Sequence, residues 1–224
     1  MGNLPSLEEA VEFAENPEPR CPCVLLLDTS GSMQGDAIEA LNAGLQQFQQ
    51  NLRLDSLASR RVEVAIVTFN TEVTVAHDFV TADLFEPPLL IAQGMTHIGA
   101  GIHKALDLLQ ARKTQYRTNG ISYYRPWVFL ITDGTPQGES DDILQLASHR
   151  IAEDERLKRV AFFAVGVENA DMGRLAQFAV RTPVKLIGLN FVEMFVWLSA
   201  SMQRVSQSQV DEQVALPPPG WGTV

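Results

Sequence analysis

Unbroken apolar runs alternate along this chain with segments whose apolar positions recur every three or four residues. The first kind reads as strands buried on both faces, the second as helices turning one face to a core. Strands are expected at "VLLL" (24–27), "VEVAIVTF" (62–69), "WVFLIT" (127–132), "RVAFFAVGV" (159–167) and "VKLIGL" (184–189). Between them Ala37, Leu41, Leu45, Phe48 and Leu52 trace one helical stripe, and Ala105, Leu108 and Leu109 lie on another. Further helices are expected over about 140–157, 172–179 and 191–206. The segment "EVTVAHDF" (72–79) alternates instead, and an "NT" turn joins it to 62–69, which predicts an antiparallel edge strand.

The two ends have their own patterns. Ser6 and Glu9 form a capping box, and Leu7, Ala10, Val11 and Ala14 then follow helical spacing until Asn16 and Pro17. The last residues lose periodicity, and Pro217, Pro218 and Pro219 bar a helix or a central strand, so they read as a tail docked through Trp221. The expected division is a lead-in helix in 1–20, one domain in 21–206 and a Pro-rich tail in 207–224. Strands alternating with helices predict an α/β fold: a three-layer, doubly wound, mostly parallel sheet with helices on both faces.

Composition narrows the partners. A formal net charge of -10 makes a nucleic-acid backbone or an anionic membrane surface unfavourable, whereas cations and basic protein patches fit. No apolar run approaches the roughly 20 residues of a spanning helix, and residues 1–20 lack an export pattern, so a cytoplasmic protein is expected. Cys21 and Cys23 stand two apart on an extended segment; they read as reduced thiols rather than a disulfide or a zinc site.

In doubly wound sheets ligands gather beyond the carboxyl ends of the strands. Those positions are rich in oxygen here: Asp28, Ser30 and Ser32 after the first strand, Asp133 after "WVFLIT", and Thr96 in the loop "GMTHIGAG". Two carboxylates and three hydroxyls are hard ligands suited to Mg²⁺, or to Mn²⁺ or Ca²⁺. A cation held mainly by neutral hydroxyls keeps its attraction for an outside carboxylate. His97 could rim such a site; Asp36 and Glu39 read as favourable charges at a helix N-terminus. The glycines of "NAGL" and "GAGI" fit no phosphate loop and read as close helix packing. Tyr124 and Arg125, in "YYRPW", read as packing at the sheet's end and as candidates for partner contact.

The pattern "DTSGS", a threonine in "GMTHIGAG" and the aspartate of "ITDGTP" resemble the von Willebrand factor A domain and its metal-ion-dependent adhesion site. The resemblance spans about residues 20–205 and implies a six-stranded sheet with one antiparallel edge strand. It implies metal ligation by Asp28, Ser30, Ser32, Thr96 and Asp133, and capture of a partner's Glu or Asp. "PCVLLLDTSGSM" and "LPPPGW" are similar to a bacterial cytoplasmic subgroup associated with tellurite resistance, which implies stress-response partners such as a kinase and a phosphatase. No histidine is spaced to activate Ser30 or Ser32 and no GxSxG elbow occurs, so a binding module rather than an enzyme is expected. The alternative is a magnesium-dependent phosphohydrolase, whose Asp-x-Asp motif would need an acid where Ser30 stands.

Overall fold

The computed structural model describes residues 7–133, 136–168 and 170–223. Among these residues seven strands form one sheet in the order β3-β2-β1-β4-β5-β6-β7. These are β1 Cys21–Asp28, β2 Val62–Phe69, β3 Val73–Thr81, β4 Trp127–Thr132, β5 Ala161–Gly166, β6 Val184–Leu186 and β7 Gly222–Thr223. Neighbours from β2 through β6 run parallel, and β3 and β7 close the two edges antiparallel. The helices are α1 Leu7–Glu15, α2 Asp36–Leu54, α3 Ala58–Arg61, α4 Ile98–Thr118, α5 Asp141–Arg156, α6 Met172–Phe178 and α7 Phe191–Gln207.

Side chains alternate across a strand, so a doubly buried sheet sorts its residues into two cores. Leu25 and Leu27 of β1 pack with Leu41, Leu45 and Phe48 of α2 and with Phe191, Phe195 and Leu198 of α7. Val24 and Leu26 pack on the other face with Ile102 and Leu109 of α4, Ile151 of α5 and Leu175 of α6. Cys21 and Cys23 lie in the first core as free thiols, and burial pushes the Cys21 thiol up to about 12, which makes it inert. Gly44 lets α2 lie against α7: a Cβ there would stand 2.6 Å from Phe195 Cδ2 and 3.0 Å from Phe191 Cβ. The glycine of "NAGL" is thus a packing glycine.

The sheet has one strand more than the six expected, and it comes from the tail. The prolines end at Pro219, Trp221 O accepts from Ile187 N at 3.1 Å, and Gly222 and Thr223 then pair with β6. An edge strand needs only one bonded side, so the preceding prolines do not obstruct it. Trp221 is 3 % exposed and meets Trp197 edge-on at 5.6 Å, while Trp197 Nε1 donates to Pro217 O at 2.8 Å. β6 is shorter than "VKLIGL" suggests, because the chain turns at Gly188 with φ +60°.

The lead-in helix docks differently from its expected stripe. Val11 is exposed and Phe13 is buried, edge-on to Tyr116 at 5.9 Å and beneath the guanidinium of Arg112 at 5.0 Å. Ser6, half of the expected capping box, lies outside the described residues. Below Phe13 sits an ionic cluster that the apolar pattern conceals. Glu63, fully buried in β2, accepts from Arg20 Nε at 2.7 Å, from Arg112 Nε at 2.8 Å and from the Tyr116 hydroxyl.

Candidate functional site

The strand order reverses between β1 and β4. Successive connections lead outward from β1 to β2 and β3, and outward from β4 to β5 and β6. The carboxyl ends of these two neighbours are therefore the place where such sheets usually receive a ligand. Asp28 ends β1, and Asp133 follows the last residue of β4.

The residues there are linked by hydrogen bonds. Asp28 Oδ1 accepts from Ser30 N at 2.8 Å, and its Oδ2 accepts from Thr132 Oγ1 at 2.5 Å. Ser30 Oγ lies 3.0 Å from Ser32 Oγ, and Ser32 Oγ donates to Asp133 Oδ1 at 2.9 Å. Burial raises Asp28 to about 6, against the opposing bonds from Ser30 and Thr132 and with a smaller push from Asp133. Asp133, partly exposed, is raised by the same desolvation, which the Ser32 bond opposes. Two carboxylates held in one crevice with raised pKa values form an environment that a cation would relieve.

Thr96 reaches this group through its backbone. Its loop is tied to the first by Gly31 N donating to Gly94 O at 2.9 Å and Gln93 N donating to Thr29 O at 2.8 Å. Thr96 and Gln137 exchange backbone hydrogen bonds at 3.3 and 3.0 Å, which fasten it to the segment after β4. Thr96 is 3 % exposed, and no side-chain contact from it to the other four is seen among the described residues. Gly94 has φ +78°, and a Cβ there would stand 2.5 Å from Thr71 Oγ1, so only glycine fits this turn.

The donor chemistry and spacing can be tested against a metal. Oxygens on adjacent corners of an octahedron of 2.0–2.1 Å radius stand about 2.9 Å apart. The Ser30–Ser32 and Ser32–Asp133 separations, 3.0 and 2.9 Å, are hydrogen-bond lengths that are also compatible with that edge. Among the described residues no three His, Cys, Asp or Glu side chains cluster, so any cation here would rely on hydroxyls.

Two neighbours escaped sequence reasoning. Thr132 orients Asp28, and its only signal was its place at the end of a buried strand, before the aspartate. Glu139 caps α4, accepting from Gly99 N at 2.7 Å and Ala100 N at 2.6 Å; a carboxylate three to six residues past an aspartate turn carries no such signal in sequence. Asp36 and Glu39 lie in the first turn of α2, as expected for charges favoured by its dipole. Tyr124 and Arg125 pack at the sheet's end: Tyr124 hydroxyl donates to Ser208 O at 2.6 Å, and Arg125 Nε donates to Val160 O at 2.8 Å.

The family model of the von Willebrand factor type A domain matches residues 23–186. No curated protein matches the chain by sequence. Among solved structures, the pilus adhesin SpaC from Lactobacillus rhamnosus GG aligns with TM-score 0.65 at 15 % identity, over 84 % of this chain and 30 % of that one. A von Willebrand factor type A protein from Catenulispora acidiphila aligns with TM-score 0.58 at 17 % identity, over 84 % and 43 %. The PilB minor pilin from Streptococcus sanguinis gives TM-score 0.60 at 13 % identity, over 83 % and 62 %. The chain thus spans 30 to 62 % of the length of these structures, and at such identities the likeness is one of fold.

Proposed function

The chain belongs to the von Willebrand factor type A domain family, and from that premise we propose that it is a metal-dependent protein-interaction module with no catalytic step of its own. Ser30, Ser32 and Thr96 would hold the cation through hydroxyls, with Asp28 and Asp133 as the balancing carboxylates. Mg²⁺ suits the oxygen set best, with Mn²⁺ or Ca²⁺ as substitutes. The observation that carries this reading is the hydrogen-bonded line Ser30–Ser32–Asp133, which gathers three of the five oxygen-bearing side chains at the carboxyl ends of β1 and β4.

The protein's part is positioning. Asp28, fully buried, fixes the turn by accepting from the Ser30 amide and is itself oriented by Thr132, so Ser30 and Ser32 stay side by side. Gly94 brings the Thr96 loop against Gly31. When bound, the cation supplies an under-neutralised positive centre for a Glu or Asp of a partner protein. The resemblance of "PCVLLLDTSGSM" and "LPPPGW" supports a bacterial cytoplasmic stress-response or tellurite-resistance setting, with a kinase or phosphatase as partner.

Calorimetric titration with MgCl₂ and MnCl₂ should give one saturable site, and capture of the partner from host extract should require the metal and fail in chelator. Absence of metal binding, or capture indifferent to chelator, overturns the reading. Metal-dependent hydrolysis of p-nitrophenyl phosphate that disappears in Asp28→Ala would establish the phosphohydrolase alternative instead.

A further inference from the structure

The end of the sheet remote from the crevice, where β4 and β5 begin, opens into a cavity of about 1020 Å³. Its walls carry Lys113, Arg117, Arg125, Lys158, Arg159 and Arg181, six of the chain's 17 lysines and arginines, against two carboxylates, Asp211 and Glu212. Glu153, Asp154 and Glu155 lie within ion-pair distance of these cations, so six positive groups face five carboxylates, a slight local excess of positive charge in a chain of net charge -10.

Several of these cations are poorly neutralised. Arg125 and Arg181 share the single carboxylate of Glu155, which leaves that trio one positive charge in excess. The carboxylate oxygens nearest to Arg159 are those of Asp154 at 3.7 Å and Glu153 at 4.0 Å, too long for charge-assisted hydrogen bonds. Arg117 donates to a neutral hydroxyl, that of Thr114. Lys113 is 7 % exposed, and among the described residues its ammonium makes one long hydrogen bond, to Arg159 O at 3.5 Å. Desolvation lowers its pKa, Asp154 opposes that, and Arg117 and Arg159 add to it. A recessed ammonium with so few partners is costly in the free protein.

Backbone geometry adds an independent observation. Lys158 has φ +53°, a left-handed position at the end of α5 where glycine is the inexpensive residue. The turn holds Lys158 and Arg159 at the cavity wall, fixed by Lys158 N to Glu155 O at 3.0 Å and Arg159 N to Asp154 O at 2.7 Å. Behind the cations Trp127, which is buried, and half-buried Phe163 lie 5.0 Å apart, and the Arg181 guanidinium stacks on Phe163 at 5.2 Å.

We propose that this cavity binds a small organic polyphosphate of nucleotide size, its phosphates on Lys113, Arg117, Lys158 and Arg159 and its body against the guanidinium that stacks on Phe163. The volume is at the upper end of small-molecule sites. Phosphate carries more charge and more acceptors than a carboxylate and suits a surplus of lysine and arginine donors. The site stands about 20 Å from the crevice, the length of the six-residue β4. Its occupation does not depend on the metal reading above.

The test is isothermal titration calorimetry of the full chain with ATP and with pyrophosphate as probes, in about 150 mM salt. EDTA keeps metal-phosphate complexes from the crevice. ATP should bind saturably at one site and more tightly than pyrophosphate. The variant K158Q/R159Q, altered at two exposed side chains, should weaken ATP at least about tenfold while keeping the wild-type unfolding midpoint. Lys113→Met should weaken it further, and Asp133→Ala should leave it unchanged. No saturable heat up to about 5 mM of either probe overturns the proposal, as does equal affinity in K158Q/R159Q. Saturable binding of poly-glutamate but not of ATP also overturns it, and would mark the cavity as a docking surface for acidic protein.

Discussion

Ser32 Oγ donates to Asp133 Oδ1 at 2.9 Å, joining the loop after β1 to the loop after β4 across 101 residues of chain. Any ligand that uses both oxygens must stabilise the folded state, because unfolding separates them. At a metal concentration of about 100 Kd the gain is about 2.7 kcal/mol, which for a chain of this size raises the melting temperature by roughly 5–10 °C. Wild-type protein should show that rise in MgCl₂ or MnCl₂ by differential scanning fluorimetry. Asp133→Ala should lose it while its melting temperature in EDTA stays near wild type, since Asp133 is partly exposed. An equal metal-induced rise in the variant would remove Asp133 from the site.

At the other end of β2, Glu63 compensates two buried guanidiniums, those of Arg20 and Arg112. Glu63→Gln keeps the shape and removes the charge, leaving both cations without their shared counter-ion. Breaking a buried pair in this way costs about 3–5 kcal/mol. Urea unfolding of the variant should show a midpoint far below wild type with a similar m-value. A loss under about 1 kcal/mol would mean that Arg112 is satisfied by Glu12 alone.

Gly44 tests the α2–α7 contact. In an open helix Gly→Ala stabilises by roughly 0.5–1 kcal/mol. Here the new Cβ would meet Phe195 Cδ2 at 2.6 Å and Phe191 Cβ at 3.0 Å, and overpacking of a tight core costs about 1–3 kcal/mol. Gly44→Ala should therefore lower the melting temperature by several degrees. A rise would show that the two phenylalanines yield freely.

Most of the sheet was legible because its strands are buried on both faces and so appear as unbroken apolar runs, as in "WVFLIT". The crevice was legible for a related reason: Asp28 and Asp133 each terminate such a run, and the doubly wound order makes those two strands neighbours. Whatever depends on a distant partner was hidden. Glu63 sits in "VEVAIVTF" like a polar residue on an exposed face, and only Arg20 and Arg112, 43 and 49 residues away, show it to be interior. Phe13 outranks Val11 because Tyr116 and Arg112 receive it. The cations of the remote cavity are scattered from Lys113 to Arg181, and no local spacing announces that they meet.

Trp221 offers a sharper test of the tail, because its two chemical features predict opposite effects. Its ring is 3 % exposed and packs on Trp197, so Trp221→Ala should cost about 3–5 kcal/mol and release β7 from β6. Its indole N–H, however, finds no hydrogen-bond partner among the described residues. A buried donor without a partner costs about 1–3 kcal/mol, so removing it offsets part of the volume lost in Trp221→Phe. The Phe variant should lie within about 1 kcal/mol of wild type in urea unfolding. Should Phe and Ala prove equally damaging, the N–H must be bonded in solution, and the tail would be held by that bond rather than by its ring.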